Sequence, residues 1–306
     1  MADTNFIKYG KKNLKNKPKF LKARIPKGDN FLKLKKSLRE RQLSTVCEEA
    51  KCPNLGECWS DSTATMMILG DTCTRACKFC HVKTGNPAGF LDLNEPKKAS
   101  EMVTMMALKY LVVTSVDRDD LADFGAGHFA NIVNRIAIDH PDVRVEVLIP
   151  DFGAVEAHMQ TLANSNPFVI AQNIETVRRL TSQVRDRRAG YDTTLNALAY
   201  YAKQFSHIAT KTSLMVGLGE TKEELVETMN DLRSAGVRII TFGQYLRPTL
   251  AHLEVQKYYA QDEFEHLKKI AYDLGFDFVA SGPLVRSSYK AADYLDFIES
   301  KKSKHK

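Results

Sequence analysis

Between residues 64 and 244, short apolar runs alternate with stretches of helical periodicity, and this alternation limits the fold more than any other feature of the chain. The runs are Ala64 to Gly70, Tyr110 to Val116, Val143 to Ile149, Phe168 to Ile174, Ile208 to Val216 and Val237 to Gln244. Helical patterns fall near 99–108, 127–139, 154–163, 176–182, 192–204 and 222–235. Leu111-Val112-Val113 and Ile239-Ile240 are apolar on successive positions, as in strands covered on both faces of a parallel sheet. Six such units joined by right-handed crossovers predict an α/β fold that closes most of a barrel. Loops at the carboxyl ends of barrel strands are free to vary while the barrel packs, so chemistry is expected there.

Cys73 directly follows the first of these runs. It opens a Cys73-x3-Cys77-x2-Cys80 loop, and Cys47, Cys52 and Cys58 form a second triplet just upstream; the chain has no other cysteine. Soft thiolates select zinc, copper(I) or iron-sulfur clusters. Disulfide frameworks belong to small secreted domains, whereas this chain has 306 residues and no apolar leader. Structural zinc favours four ligands in paired Cys-x2-Cys knuckles, which neither triplet supplies alone. Iron-sulfur clusters are therefore favoured. Three ligands on a four-iron cubane leave one iron open to a small molecule.

With 43% hydrophobic residues the chain can bury a full core, and no apolar run reaches the roughly 18 residues of a membrane span. A soluble, cytoplasmic protein is expected. The net charge of +7 is unevenly spread: residues 1–41 hold 14 Lys or Arg against Asp3, Asp29 and Glu40, a local excess of +11. Such an arm suits a solvated tail, an acidic protein partner or a nucleic acid. Phe31, Leu32, Leu34 and Leu38 suggest a short amphipathic helix over Phe31 to Gln42. After residue 250 the chain is expected to repeat no βα unit, although a helix near 261–273 leads to Phe276 to Ala280, which reads as a strand. Lys301 to Lys306 reads as a charged, disordered tail.

The Cys73-x3-Cys77-x2-Cys80 loop resembles the signature of the radical S-adenosylmethionine family. The first triplet narrows the likeness: Thr45-Val46-Cys47-Glu48-Glu49-Ala50-Lys51-Cys52-Pro53-Asn54 and Glu57-Cys58 are similar to the lipoyl synthase family. The likeness continues through Ile68-Leu69-Gly70-Asp71-Thr72-Cys73-Thr74-Arg75, Val113-Thr114-Ser115-Val116-Asp117-Arg118-Asp119-Asp120-Leu121 and Gly243-Gln244-Tyr245-Leu246-Arg247-Pro248-Thr249. It ends in Gly282-Pro283-Leu284-Val285-Arg286-Ser287-Ser288-Tyr289.

That resemblance implies a partial (β/α)6 TIM-type barrel with N-terminal and C-terminal extensions, divided as 1–63, 64–250 and 251–306. It implies two [4Fe-4S] clusters and S-adenosylmethionine as cofactors. Cys73, Cys77 and Cys80 would hold the cluster that cleaves S-adenosylmethionine to a 5′-deoxyadenosyl radical. Cys47, Cys52, Cys58 and Ser288 would hold an auxiliary cluster that donates sulfur, with Ser288 favoured over Ser287 by its place in the motif. A hydroxyl is a harder ligand than a thiolate, which suits a cluster that must come apart. The implied reaction inserts sulfur at carbons 6 and 8 of an octanoyl chain on a lysine of a carrier domain. The alkyl hydrogens lie far outside the range of side-chain acids and bases, so the cofactor must carry the reaction. The implied partners are an octanoylated lipoyl carrier domain or protein, a low-potential donor of flavodoxin or ferredoxin type, and an iron-sulfur carrier for rebuilding the cluster; neither membrane nor nucleic acid is expected. Other readings are a different two-cluster sulfurtransferase of the same superfamily and a zinc-stabilised nucleic-acid-binding module.

Candidate contacts to S-adenosylmethionine lie at strand ends. Thr114 and Ser115 end the second strand, although they also suit a turn or helix cap. Asn173 and Glu175 end the fourth, where an amide and a carboxylate suit ribose hydroxyls. Arg185 or Arg188 suits a bidentate pair with the methionine carboxylate. Gly217-Leu218-Gly219-Glu220 lacks the third glycine of a dinucleotide fingerprint, and Thr221 with Glu224 makes a capping box, so it reads as a turn and cap. Met66, Met67, Met105 and Met106 read as core packing. His81 and His252 stand near the chemistry without a pattern that makes them ligands. The sequence departs from the family pattern at Ala76 and Gln172, where basic residues and histidine are common, and at Gly153-Ala154.

Overall fold

Apolar residues at successive positions become strands buried on both sides. The computed structural model describes residues 63–289, 291–295, 297 and 298, together with Pro18 and Asn54. The helix expected over Phe31 to Gln42, the first cysteine triplet and the charged tail lie outside the described residues. The elements in chain order are β1 (Thr63–Ile68), β2 (Thr72–Cys73), β3 (Lys83–Thr84), α1 (Glu95–Met106), β4 (Tyr110–Ser115), α2 (Ala126–Asp139), β5 (Arg144–Leu148) and α3 (Glu156–Ala163). They continue as β6 (Val169–Ala171), α4 (Thr181–Val184), α5 (Tyr191–Gln204), β7 (Ala209–Val216), α6 (Lys222–Ser234), β8 (Ile239–Gln244), α7 (Gln261–Asp273) and β9 (Phe278–Gly282).

Seven strands form one parallel sheet in the order β1-β4-β5-β6-β7-β8-β9. Sequential strands neighbour each other throughout, as a barrel wall requires. Past residue 250 the chain does repeat the unit, contrary to expectation: α7 and β9 add a seventh strand, with Ile240 opposite Val279. The strand at 278–282 sits two residues later than Phe276 to Ala280, because Phe276 and Asp277 still bond back to Ala271 and Arg238.

Alternate side chains divide the core. Leu111, Val113, Val147 and Ile170 join the cluster under α1, α2 and α3, whereas Leu214, Val216, Ile240 and Phe242 join that under α6 and α7. The opposite set, Tyr110, Val112, Val169, Ala209 and Ile239, faces the inside of the curved sheet and packs with Ala291 and Tyr294. Deeper on that face Lys211 Nζ lies 2.7 Å from Glu146 Oε1, and the Tyr110 hydroxyl donates to Glu146 Oε2 at 2.8 Å.

Strand β6 is shorter than its apolar run. The Thr212 hydroxyl donates to Gln172 O at 2.8 Å and accepts from Ile174 N at 3.0 Å, replacing ladder bonds. The chain bulges there and rejoins β7 at Glu175, which bridges Leu214 in parallel at a left-handed φ of 66°. The helix expected over 176–182 is a 3-10 turn, Arg178–Leu180, running into α4. The Gly217–Glu220 segment is a turn, and Thr221 and Glu224 cap α6 reciprocally. Met66 and Met67 are buried, and Met105 and Met106 pack against the same core. Among the described residues no helix is long and apolar enough to cross a membrane.

Candidate active site

The second cysteine triplet sits on a loop closed by β2 and β3, which pair Thr72 with Lys83 and Cys73 with Thr84. Gly85 N donates to Cys73 O at 2.9 Å. Because all seven strands run one way, the loops that follow them share one end of the sheet, and four of these loops hold the cysteine loop in place. From β4, Asp117 O accepts from Thr74 N at 3.0 Å. After β6, Val184 O accepts from Lys78 N at 2.9 Å, and Asp186 N donates to Cys77 Sγ at 3.2 Å. After β8, His252 Nε2 lies 2.9 Å from Cys80 O. After β5, Asp151 receives both terminal nitrogens of Arg75, at 2.6 and 2.8 Å.

Arg75 is the centre of this clamp. Its guanidinium also meets Asp119 at 2.8 Å and Asp117 at 3.4 Å, and it is buried. Such fork-shaped pairing fixes orientation as well as position. Although burial disfavours its charge, bonds to Asp151 and Asp119 hold the Arg75 pKa above the ordinary arginine value. Asp117, partly buried, moves the other way: desolvation raises its carboxyl despite Arg75, and the neighbouring Asp151 and Asp119 raise it further.

Cys73, Cys77 and Cys80 are free thiols lining one cavity of about 200 Å³. Burial pushes Cys73 up to about 12 and Cys77 up to about 11, and it raises Cys80 as well. All three partly buried groups therefore stand as neutral thiols, and metal coordination is a strong way to reverse that preference, because a coordinating thiol loses its proton outright. Among the described residues no three Cys, His, Asp or Glu side chains converge closely enough to share a single ion. The triplet is thus no ready-made zinc site, whose sulfurs would lie about 2.3 Å from one metal. Thiols spread around a cavity suit a larger cluster.

The remaining lining bears unsatisfied acceptors. Ser115 Oγ, Gln172 Oε1 and Asn173 Oδ1 are buried and lack a hydrogen-bond partner among the described residues, and all three residues line the cavity. Buried polar atoms without partners are costly, and three beside one cavity indicate a polar ligand. Thr114 Oγ1 donates to Leu148 O at 3.0 Å, so neither Thr114 nor Ser115 caps a helix. Desolvation raises the Glu175 carboxyl, opposed by Arg185 and by a hydrogen bond from Asn173. Arg185 lines the cavity and is braced by Thr194 Oγ1 at 2.9 Å. Phe79, Val82, Leu148 and Ile149 supply apolar wall.

Five of the six contacts expected from sequence therefore meet the three thiols in one cavity: Thr114, Ser115, Asn173, Glu175 and Arg185. Arg188 does not line it. Its guanidinium bonds Asp186 at 2.9 Å, Asp119 at 3.2 Å and Thr74 O at 2.6 Å, which makes it a brace for the cysteine loop. Sequence reasoning passed over Asp117, Asp151 and Gln172 as lining residues. Their signal was position: each lies within three residues of the carboxyl end of a strand. His252 ties the loop after β8 to Cys80 O and touches His81 edge-on at 5.5 Å.

Ser287 and Ser288 stand in a turn after β9, at the same end of the sheet. That turn rests on β8: a Cβ at Gly243 would meet Val285 O at 2.2 Å, so only glycine admits this approach. Asn54 Nδ2 donates to Leu284 O at 2.6 Å, which brings the segment just after Cys52 against the serine motif. Cys47, Cys52 and Cys58 themselves lie outside the described residues.

Comparison with known proteins agrees with this geometry. The family model described as Radical SAM superfamily matches residues 67–232, and that for the N-terminal domain of lipoyl synthase matches residues 3–52. Lipoyl synthase of Marinobacter nauticus is 53% identical over 93% of this chain and 82% of its own length. That of Thermus thermophilus is 54% identical over 90% and 86%. Among solved structures, methylornithine synthase superposes with a TM-score of 0.53 at 11% identity, covering 71% of this chain and 70% of its own. A maturase of the [FeFe]-hydrogenase does so at 0.50 and 14% identity, covering 95% and 74%. These two likenesses bear on fold alone and agree with a partial TIM-type barrel. With the thiol loop at the mouth of that barrel and more than half of the aligned residues shared with its relatives, this chain belongs to the lipoyl synthase family of radical S-adenosylmethionine enzymes.

Proposed function

We propose that the chain converts an octanoyl-lysine of a lipoyl carrier domain into its lipoyl form, inserting sulfur at carbons 6 and 8. Its cofactors are S-adenosylmethionine and two [4Fe-4S] clusters. The observation that carries the reading is the meeting of three partly buried free thiols with three orphaned acceptors in one cavity. Cys73, Cys77 and Cys80 hold the first cluster, and Cys47, Cys52, Cys58 and Ser288 the second. When bound, these groups supply the radical that removes hydrogen and the sulfur that replaces it.

The chain's own residues set the conditions. Each thiol would give up its proton on loading, which makes assembly favour higher pH. Ser115 Oγ, Gln172 Oε1 and Asn173 Oδ1 would accept from the amino and hydroxyl groups of S-adenosylmethionine, and Arg185 would offer its carboxylate a cation. Arg75, clamped by Asp119 and Asp151, keeps the loop from shifting as ligand enters. Leu148, Ile149 and Phe79 keep water from a site where it would divert the reaction. A low-potential flavodoxin or ferredoxin supplies electrons, an iron-sulfur carrier renews the second cluster, and the basic arm steers an acidic carrier domain in the cytoplasm.

Anaerobically purified protein is expected to be brown, with about eight irons per chain. Cys73→Ala should abolish S-adenosylmethionine cleavage, whereas Cys47→Ala should retain cleavage and stop sulfur insertion into an octanoyl-lysine peptide. Loss of the same activity in both variants would overturn two separate cluster roles, and a colourless zinc protein would overturn the reading as a whole.

A further inference from the structure

Beyond Ser288 the chain does not trail off. Ala291 and Tyr294 are nearly fully buried, at 3% and 2% exposure, on the inner face of the sheet. Ala291 packs with Tyr110 and Val112, and Tyr294 with Val169, Ala209 and Ile239. Apart from Val112, these strand residues open their strands, so the packing lies at the end of the barrel opposite the cysteines. The Tyr294 ring meets Phe278 at 5.9 Å and Phe168 at 6.0 Å, and Phe297 stacks on it at 6.1 Å and 22°. An aromatic cluster thus plugs the lower end of the sheet.

The serine turn is consequently held twice. Above it, Val285 O sits on Gly243 and Leu284 O is taken by Asn54. Below it, Tyr294 follows Ser288 by six residues, a span that cannot exceed about 21 Å. A hydroxyl is a weak ligand for iron, so its usefulness depends on being held in place before the metal arrives.

We propose that Ala291, Tyr294, Phe297 and Ile298 form an anchor that positions the serine turn, with Tyr294 as its main positioning residue. The proposal rests on Ser288 as a ligand of the second cluster. It assigns Tyr294 a role at the opposite end of the barrel from the chemistry, exerted through the backbone that joins the two. The Tyr294 hydroxyl has no partner among the described residues, so the ring is the part that matters.

The test compares Tyr294→Ala, Tyr294→Phe and Ser288→Ala with unaltered cluster-loaded protein. Two readouts are taken anaerobically: iron release to bathophenanthroline disulfonate, and 5′-deoxyadenosine formed on reduction with dithionite. Tyr294→Ala should release about half of its iron roughly tenfold faster, as Ser288→Ala does, while deoxyadenosine formation stays within about twofold. Tyr294→Phe should match unaltered protein. Should Tyr294→Ala not fold, Phe297→Ala should show the same split in smaller measure. Iron retention as in unaltered protein, with Ser288→Ala still losing iron, overturns the anchor and leaves the serine assignment standing. Parallel loss of all iron and of deoxyadenosine formation also overturns it, marking a general part in stability. If Ser288→Ala itself retains iron, the serine assignment falls and the anchor with it.

Discussion

Asn54 Nδ2 donates to Leu284 O at 2.6 Å across 230 positions of sequence, joining a residue that lies between Cys52 and Cys58 in sequence to the start of the serine turn. Asn54 is buried, and the bond is partly shielded from water. Asn54→Ala should weaken this junction by about 1 kcal/mol, roughly a fivefold drop in the assembled arrangement. The expected outcome is a higher ratio of 5′-deoxyadenosine to thiolated peptide, with cleavage itself unchanged. A ratio equal to that of unaltered protein would remove Asn54 from the assembly of the second site.

His252 ties the loop after β8 to the cysteine loop. The carbonyl of Cys80 can only accept, so Nε2 carries the proton, and Nδ1 accepts from the Thr249 hydroxyl at 2.8 Å. His252→Phe removes both bonds and should speed iron loss from the first cluster by about tenfold. His252→Gln, which keeps a donor, should recover part of the effect. The check is iron release together with deoxyadenosine formation, which should fall in step while sulfur inserted per cleavage stays constant.

The strands were legible because parallel strands buried on both faces leave unbroken apolar runs, as Leu111-Val112-Val113 does. The cysteine loop was legible because three thiols at fixed spacing have few other uses. What escaped was decided by contacts distant in sequence. Strand β6 ends at Ala171 because the Thr212 hydroxyl, 40 positions on, captures Gln172 O and Ile174 N. Arg188 reads as well as Arg185 for a ligand, yet Asp186 and Asp119 claim it for the loop. The seventh strand was misjudged as outside the repeat, since its Phe278 and Ser281 do not mark a βα unit until Ile239 and Phe242 lie beside them.

The inner face of the sheet buries an ion pair. Lys211 and Glu146 are each almost inaccessible, and Tyr110 completes the carboxylate's bonding. Removing one partner leaves an uncompensated charge, so Lys211→Met should cost about 3–5 kcal/mol. Replacing both, as Lys211→Met with Glu146→Leu, should restore most of that loss because the site can then pack as hydrocarbon. Anaerobic urea unfolding of the two single variants and the double variant measures the coupling. Additive losses would show that the pair does not act as a unit.

Arg118 is fully buried between the start of the cysteine loop and the loop after β3, and its charge is balanced by Asp120. It donates to Leu69 O at 3.0 Å, to Phe90 O at 2.8 Å and to both Asp120 oxygens at 2.8 Å. Chiefly through Arg118, the Asp120 carboxyl falls from 3.8 to about 2. A carboxyl lowered on folding contributes in full above its ordinary pKa, and the contribution is lost as pH falls through the folded value. The shift corresponds to about 2 kcal/mol. Asp120→Asn should therefore be less stable than the unaltered protein by about that amount at pH 7 and by the same amount at pH 5, the gap narrowing only below about pH 4. Anaerobic urea midpoints at pH 7 and pH 5 decide the matter: a gap that changes between them would mean that another group governs the response, because the Asp120 carboxyl is ionised throughout that interval, folded or unfolded.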